Sequence, residues 1–158
     1  MRDIMRRLKL TVNETKTRVC RLPDEKFDFL GYTFGRCYSP QTGRAYLGTV
    51  PSKKRVIRIC AAISSETGRN KTLLDTATVV ESLNRLMVGW AHYFCLGPVS
   101  KAYRAVERHA RKRLRQWLCA KHRVDWPATK QFPETDLHEV LGLIRLTTRT
   151  RRFPWATS

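Results

Sequence analysis

The chain has 158 residues, 42% of them hydrophobic, enough to build one domain, or two small ones, around a real core. Lys and Arg number 31 against 13 Asp and Glu, a formal charge of +18 that excludes an acidic disordered tail and points to a polyanionic partner, nucleic acid first. No apolar run approaches the ~18 residues of a membrane-spanning helix, and the odd number of singly scattered cysteines argues for reduced thiols in a cytoplasmic protein rather than a disulfide framework.

The first segment, "MRDIMRRLKLTVNETKTRVC", places Ile4, Met5 and Leu8 at helical spacing and then turns to alternating β-branched residues, so it reads as the last turns of a helix entering extended structure. A start in mid-helix, without a capping residue, is expected to continue something upstream. "KFDFLGYTFGRCY" reads as a strand interrupted at Gly31, where a bulge or a close backbone approach is expected. Pro40 and Gly43 bracket a hairpin loop, and "AYLGTV" returns as a second strand.

At Pro51-Ser52 the period becomes helical: Val56, Cys60 and Ile63 share one face, Lys53, Lys54, Arg55 and Arg58 occupy the others, and Ser52 is an N-cap. Gly68 and Asn70 stop this helix. A second is predicted from Asp75 to Thr78 onward, with Thr78 and Glu81 as a capping box. Its apolar stripe runs Val79, Leu83, Leu86, Trp90 and Tyr93, extended by Leu96. Within it, "LNRLMVGWAHYF" holds Gly89, which costs about 1 kcal/mol in mid-helix and is read as close approach by another helix or by a ligand backbone. Trp90, Tyr93 and Phe94 continue the stripe and are read as core rather than as base-stacking platforms.

Gly97-Pro98 turns the chain into a third helix with Val99, Tyr103, Val106, Ala110, Leu114 and Trp117 on its apolar face. Arg104, Arg108, Arg111 and Arg115 form a neighbouring ridge in which cations stand at phosphate spacing, and guanidinium groups suit bidentate phosphate contacts. The bland reading is a solvated face laced with salt bridges, but Glu107 is the only acid nearby. Beyond His122, "ETDLHEVLGLIRL" suggests a short helix ending at Gly142, and the basic tail is expected to pack back through Phe153 and Trp155. Two pairs, His92 with Cys95 and Cys119 with His122, have zinc-ligand spacing; free thiols and unliganded histidines near helix ends are the plainer reading, so no metal and no cofactor is expected.

"LKLTVNETKT", "FDFLGYTFG", "PSKKRV", "LNRLMVGWAHYF" and "LGLIRL…RRFPWA", in this order, together resemble the C-terminal part of a bacterial group II intron-encoded reverse transcriptase and maturase. The resemblance implies that residues 1–50 are the end of the polymerase palm, 51–123 the thumb or maturase-specific domain X, and 124–158 a tail, an α+β chain overall. Leu83, Gly89, Trp90, Tyr93 and Phe94, with Asn84 and Arg85, fall in the domain X stretch. Phe29, Leu30 and Gly31 match the segment that approaches a primer terminus, and Asn13, Lys16 and Thr17 the motif before it. The Tyr-Ala-Asp-Asp motif of the family is absent from this chain, so no catalytic residue is assigned and no polymerase activity is expected of it alone. The partner implied is structured group II intron RNA, with DNA or an RNA–DNA duplex as further candidates. Expected contacts are Lys53, Lys54, Arg58, Arg85, Arg104, Arg108, Arg111 and Arg115. Two rival readings stay open: a non-autonomous piece of a reverse transcriptase, and a non-specific basic nucleic-acid binder.

Overall fold

A computed structural model describes Arg7 and residues 20–39, 41–124 and 131–148. The expected helix-end residues Ile4, Met5 and Leu8, the motif residues Asn13, Lys16 and Thr17, the loop residue Pro40 and the tail aromatics Phe153 and Trp155 lie outside these. The chain is α+β: strands β1 (Phe27–Phe29), β2 (Tyr32–Tyr38) and β3 (Ala45–Pro51) form an antiparallel sheet in that order, followed by helices α1 (Lys53–Glu66), α2 (Thr76–Tyr93), α3 (Ser100–His122) and the short α4 (Glu134–Glu139). No helix among the described residues is long and apolar enough to cross a membrane.

"KFDFLGYTFGRCY" is a hairpin rather than one interrupted strand. Phe29 pairs with Tyr32, and Leu30 (φ 50°) and Gly31 (φ 87°) make the two-residue turn between β1 and β2. Positive φ at both central residues matches the right-handed twist of the strands; glycine adopts it freely, whereas Leu30 is an unusual occupant that gives no turn signal in the sequence. The close approach expected at Gly31 is also present, because a Cβ there would sit 2.9 Å from Arg55 Nε and 3.1 Å from the Phe94 ring.

α3 buries the face that its periodicity predicts, with Tyr103, Val106, Ala110 and Leu114 fully enclosed. α2 differs from expectation by a rotation of its stripe. Its buried line is Val79, Val80, Leu83, Met87, Ala91 and Phe94, whereas Leu86 and Trp90 are only partly buried against it, and Tyr93 and Leu96 are exposed. α1 likewise buries Ile59 and Ile63, with Val56 and Cys60 flanking. The capping box is corrected too: α2 begins earlier, and the Asp75 carboxylate accepts from Ala77 N at 3.0 Å. Ser52 does stand at the N-cap of α1, but its side chain makes no capping bond; its backbone N–H instead donates to Gly31 O.

Leu137, Leu143 and Leu146 join the core, so the segment after α3 packs on the bundle as well. α4 ends at Glu139, earlier than expected, and Gly142 (φ 73°) lies in the turn that redirects the chain.

Candidate nucleic-acid interface

Gly89 is solvent-exposed, and a Cβ added there would meet nothing within 4 Å. No neighbouring helix therefore requires this glycine. Close approach occurs instead at Gly97 (φ 75°), where a Cβ would lie 2.1 Å from Thr49 O. The rest of "LNRLMVGWAHYF" ties α2 to the β1–β2 hairpin before it and to the segment after α4. Asn84 Nδ2 donates to Gly142 O at 2.8 Å and its Oδ1 accepts from Ile144 N at 2.9 Å, fastening the segment after α4. At the other end, Tyr93 Oη donates to Leu30 O at 2.9 Å and Tyr32 Oη donates to Tyr93 O at 2.6 Å, so the hairpin turn and the end of α2 hold each other. Tyr93 is thus a tether rather than the core residue expected from its spacing: its ring is 55% exposed. Phe29 and Leu30, the residues matching a primer-approaching segment, project with 58% and 65% exposure at this docked tip.

Trp90 is half-buried. Its ring lies 5.1 Å from Phe94 and 5.7 Å from Tyr103, yet it also lines a cleft of about 230 Å³ with Arg55, Arg58, Ile59, Ala62 and Phe94. Its indole N–H is buried without a hydrogen-bond partner, an arrangement intermediate between the packing role and the stacking role. Arg55, on the wall of this cleft, was not among the expected contacts although it sits between two that were. Lys53, Lys54, Arg55 and Arg58 are all exposed on the first turns of α1. Arg85 is exposed and pairs with Glu81 at 2.9 Å one turn earlier, an ion pair open enough to exchange partners at little cost.

The arginine ridge of α3 divides. Arg104 and Arg108 are exposed, and the hydrogen bond found for Arg104 goes to Ser100 O in its own helix. Arg111 pairs with Glu134 at the start of α4. Arg115 donates through Nε to Phe132 O at 2.8 Å; burial, and then Arg111 beside it, lowers its pKa from the ordinary guanidinium value. These two arginines fasten α4 and the residues before it to α3. The exposed cations of α3 follow another line, Lys101, Arg104, Arg108 and Lys112, spaced three, four and four residues apart and so neighbours on one helical face. The 3.6-residue period contains that line as well as the all-arginine one, and nothing local in the sequence separates the two. Glu107, the only acid of the helix, points inward and is 5% exposed, so it leaves this face without a counter-charge of its own.

Further along α3 the cations serve the fold. Arg113 reaches the end of α1 and donates to Ser64 O (3.1 Å), Thr67 O (2.9 Å) and Thr67 Oγ1 (3.1 Å), satisfying carbonyls that a helix end leaves open. Lys121 Nζ does the same for Thr72 O and Leu74 O, at 3.2 and 2.7 Å. His109 Nε2 lies 2.9 Å from Ser64 Oγ, whose own proton goes to Cys60 O, so the imidazole donates. Burial, the largest effect, lowers the His109 pKa below 6.5; the Cys60 backbone bond opposes it, and the positive charges of Arg113 and Lys112 lower it further.

A helical bundle with one cationic face, fastened to a small sheet, is the class of protein that these observations define. Residues 56–132 match the family model of the group II intron, maturase-specific domain, and over this stretch the chain is similar to group II intron maturases. No curated protein matches the chain. The matched stretch begins within α1 and spans α2 and α3, so it holds the exposed ridge together with the Asn84 and Tyr93 tethers.

Proposed function

We propose that this chain binds structured group II intron RNA and assists its splicing, the reactive groups being the RNA's own. The observation that carries the reading is the exposed line Lys101, Arg104, Arg108 and Lys112 within a maturase-specific domain, a row of cations whose helix offers no exposed acid to neutralise it. Lys53, Lys54, Arg55, Arg58 and Arg85 are further exposed cations available to the RNA, whereas Arg111 and Arg115 hold the scaffold. With no Tyr-Ala-Asp-Asp motif in its sequence, the chain is proposed to have no polymerase activity by itself. A second reading, part of a reverse transcriptase that also meets a primer–template duplex, draws on the hairpin tip at Phe29 and Leu30, which is exposed and fixed to α2 through Tyr93.

The test is a salt titration of affinity for a folded group II intron RNA. Neutralising phosphates releases counterions, and each contact contributes about 0.7 to 0.9 to the slope of log K against log salt. Changing Arg108 and Arg104 together to Gln should flatten the slope by about 1.5, since two contacts are lost. An unchanged slope would remove α3 from the RNA surface.

A further inference from the structure

We propose that Glu107, Glu134 and His138 form a binding site for a divalent transition-metal ion of the zinc type, which clamps α4 and the segment after it onto α3. One potential ligand atom from each of the three side chains lies within 4.8 Å of the other two. The inference is independent of the RNA-binding reading, and its test involves no RNA.

His138 carries the argument. Its side chain is only 4% exposed, and its Nδ1 lies 2.6 Å from Leu143 O. A carbonyl oxygen only accepts, so Nδ1 must hold the proton and donate it. That bond fixes the tautomer and the ring orientation in the manner of metal-bound histidines, whose other nitrogen is anchored by a carbonyl or carboxylate. Nε2 is left facing Glu134 Oε1 at 4.0 Å, too far for a hydrogen bond, and it is buried without any partner. A buried imidazole nitrogen left without a partner beside two carboxylates is an energetic anomaly, and a cation between them resolves it.

The carboxylates suit the role differently. Glu107 is buried, and the hydrogen bonds it accepts, from Thr147 N and Thr147 Oγ1, both at 3.3 Å, fall on one oxygen and leave the other for an ion. Glu134 is half exposed and stands four residues before His138, on the same face of α4, so it supplies an entry path and freedom to adjust. Bonds of about 2.0 to 2.2 Å in a tetrahedral site place ligand atoms about 3.4 Å apart, so closure requires a shift of less than an ångström between Glu134 and His138 and of at most about 1.4 Å at Glu107. Arg111, bonded to Glu134, becomes the outer partner that orients this carboxylate. One imidazole and two carboxylates favour ions of intermediate hardness, with a fourth position left to water. The Cys and His pairs with zinc-like spacing do not make this site: none of them joins a ligand cluster among the described residues.

The experiment uses the whole chain, stripped with a chelator and titrated with Co²⁺ and then Zn²⁺. One ion should bind per chain, with visible cobalt d–d bands and no thiolate-to-cobalt charge-transfer band, since the ligands are nitrogen and oxygen. Zn²⁺ should displace the cobalt and raise the melting temperature by about 8 °C at a hundredfold excess over Kd. His138→Gln and Glu134→Gln should each weaken binding at least tenfold; Glu134 is exposed enough for its variant to fold, as the circular dichroism of the metal-free protein would verify. Absence of stoichiometric binding, a thiolate charge-transfer band, or wild-type affinity in the Glu134→Gln variant would each overturn the proposal.

Discussion

The two halves of α3 put the same chemistry to opposite uses. In the first half, Lys101, Arg104 and Arg108 face solvent; in the second, Lys112 continues that line while Arg111, Arg113, Arg115 and Lys121 reach a carboxylate, a hydroxyl and main-chain carbonyls of other segments. Residue type does not separate them; what lies opposite does. The second half faces the end of α1 and the chain around α4, where open carbonyls need donors, whereas the described chain places nothing of the kind opposite the first. A cation count along a basic helix therefore overstates its binding surface by the number of cations already engaged in folding.

Removing a cation from the folding half should have the largest effect. Arg113→Met keeps the stem but withdraws donors from Ser64 O and Thr67 O, and the variant is expected to lose about 2 to 4 kcal/mol in denaturant unfolding. A loss below about 0.5 kcal/mol would mean that water replaces the guanidinium and that the contrast between the halves is weaker than drawn. Next in size, Arg111→Gln with Arg115→Gln should cost about 1 to 3 kcal/mol, most of it from Arg115, whose bond to Phe132 O is partly buried, since the Arg111 pair with Glu134 is exposed. The slope of RNA affinity against salt should stay near that of wild type in this pair, the inverse of the result expected for Arg104 and Arg108. If both pairs flatten the slope equally, the halves are one surface.

Gly89→Ala comes third and has the opposite sign. Open space at its Cβ position predicts a gain of up to about 1 kcal/mol from helix propensity alone. Stability that rises while RNA affinity falls would show a ligand backbone approaching this face; affinity that is unchanged would leave the glycine without a binding role. The smallest effect belongs to His109. A histidine whose folded pKa lies below its unfolded value adds stability that is fully present above about pH 6.5 and is lost as pH falls through the folded pKa. Wild type should thus lose melting temperature between pH 7 and pH 5 more steeply than His109→Gln, and parallel profiles would count against burial of the neutral ring.

How far the sequence could be read follows the same division between local and distant partners. The apolar face of α3 is legible residue by residue, because a regular helix packed along its whole length repeats its pattern at 3.6 residues. In α2 the bulk of Trp90 and Tyr93 pulls the expected stripe to one side of the true seam through Val80, Met87 and Ala91, since aromatic rings at the edge of a core weigh as much in a pattern as small residues at its centre. The turn at Leu30-Gly31 was hidden by a leucine at positive φ. Partners of Arg111 and Arg115 lie around residues 132 to 134, across a connection whose path no periodicity describes. Glu107 and His138 come together the same way; only the four-residue spacing of Glu134 and His138 was visible beforehand. Gly89 attracts an explanation that its surroundings do not require, while Gly97 reads as simple turn punctuation and is a position where a side chain would strike the backbone of β3.

The inward turn of Glu107 has a consequence for discrimination. With its one acid folded away, the exposed line of α3 keeps only a diffuse cloud of solution anions, and any polyanion that displaces the cloud collects the same entropic reward. On the proposed reading the ridge is indifferent to sequence, and telling an intron from an unrelated RNA would fall to the relative placement of fixed features, above all the distance from this ridge to the Arg55, Arg58 and Trp90 cleft, which would act as a caliper for the folded shape of the ligand.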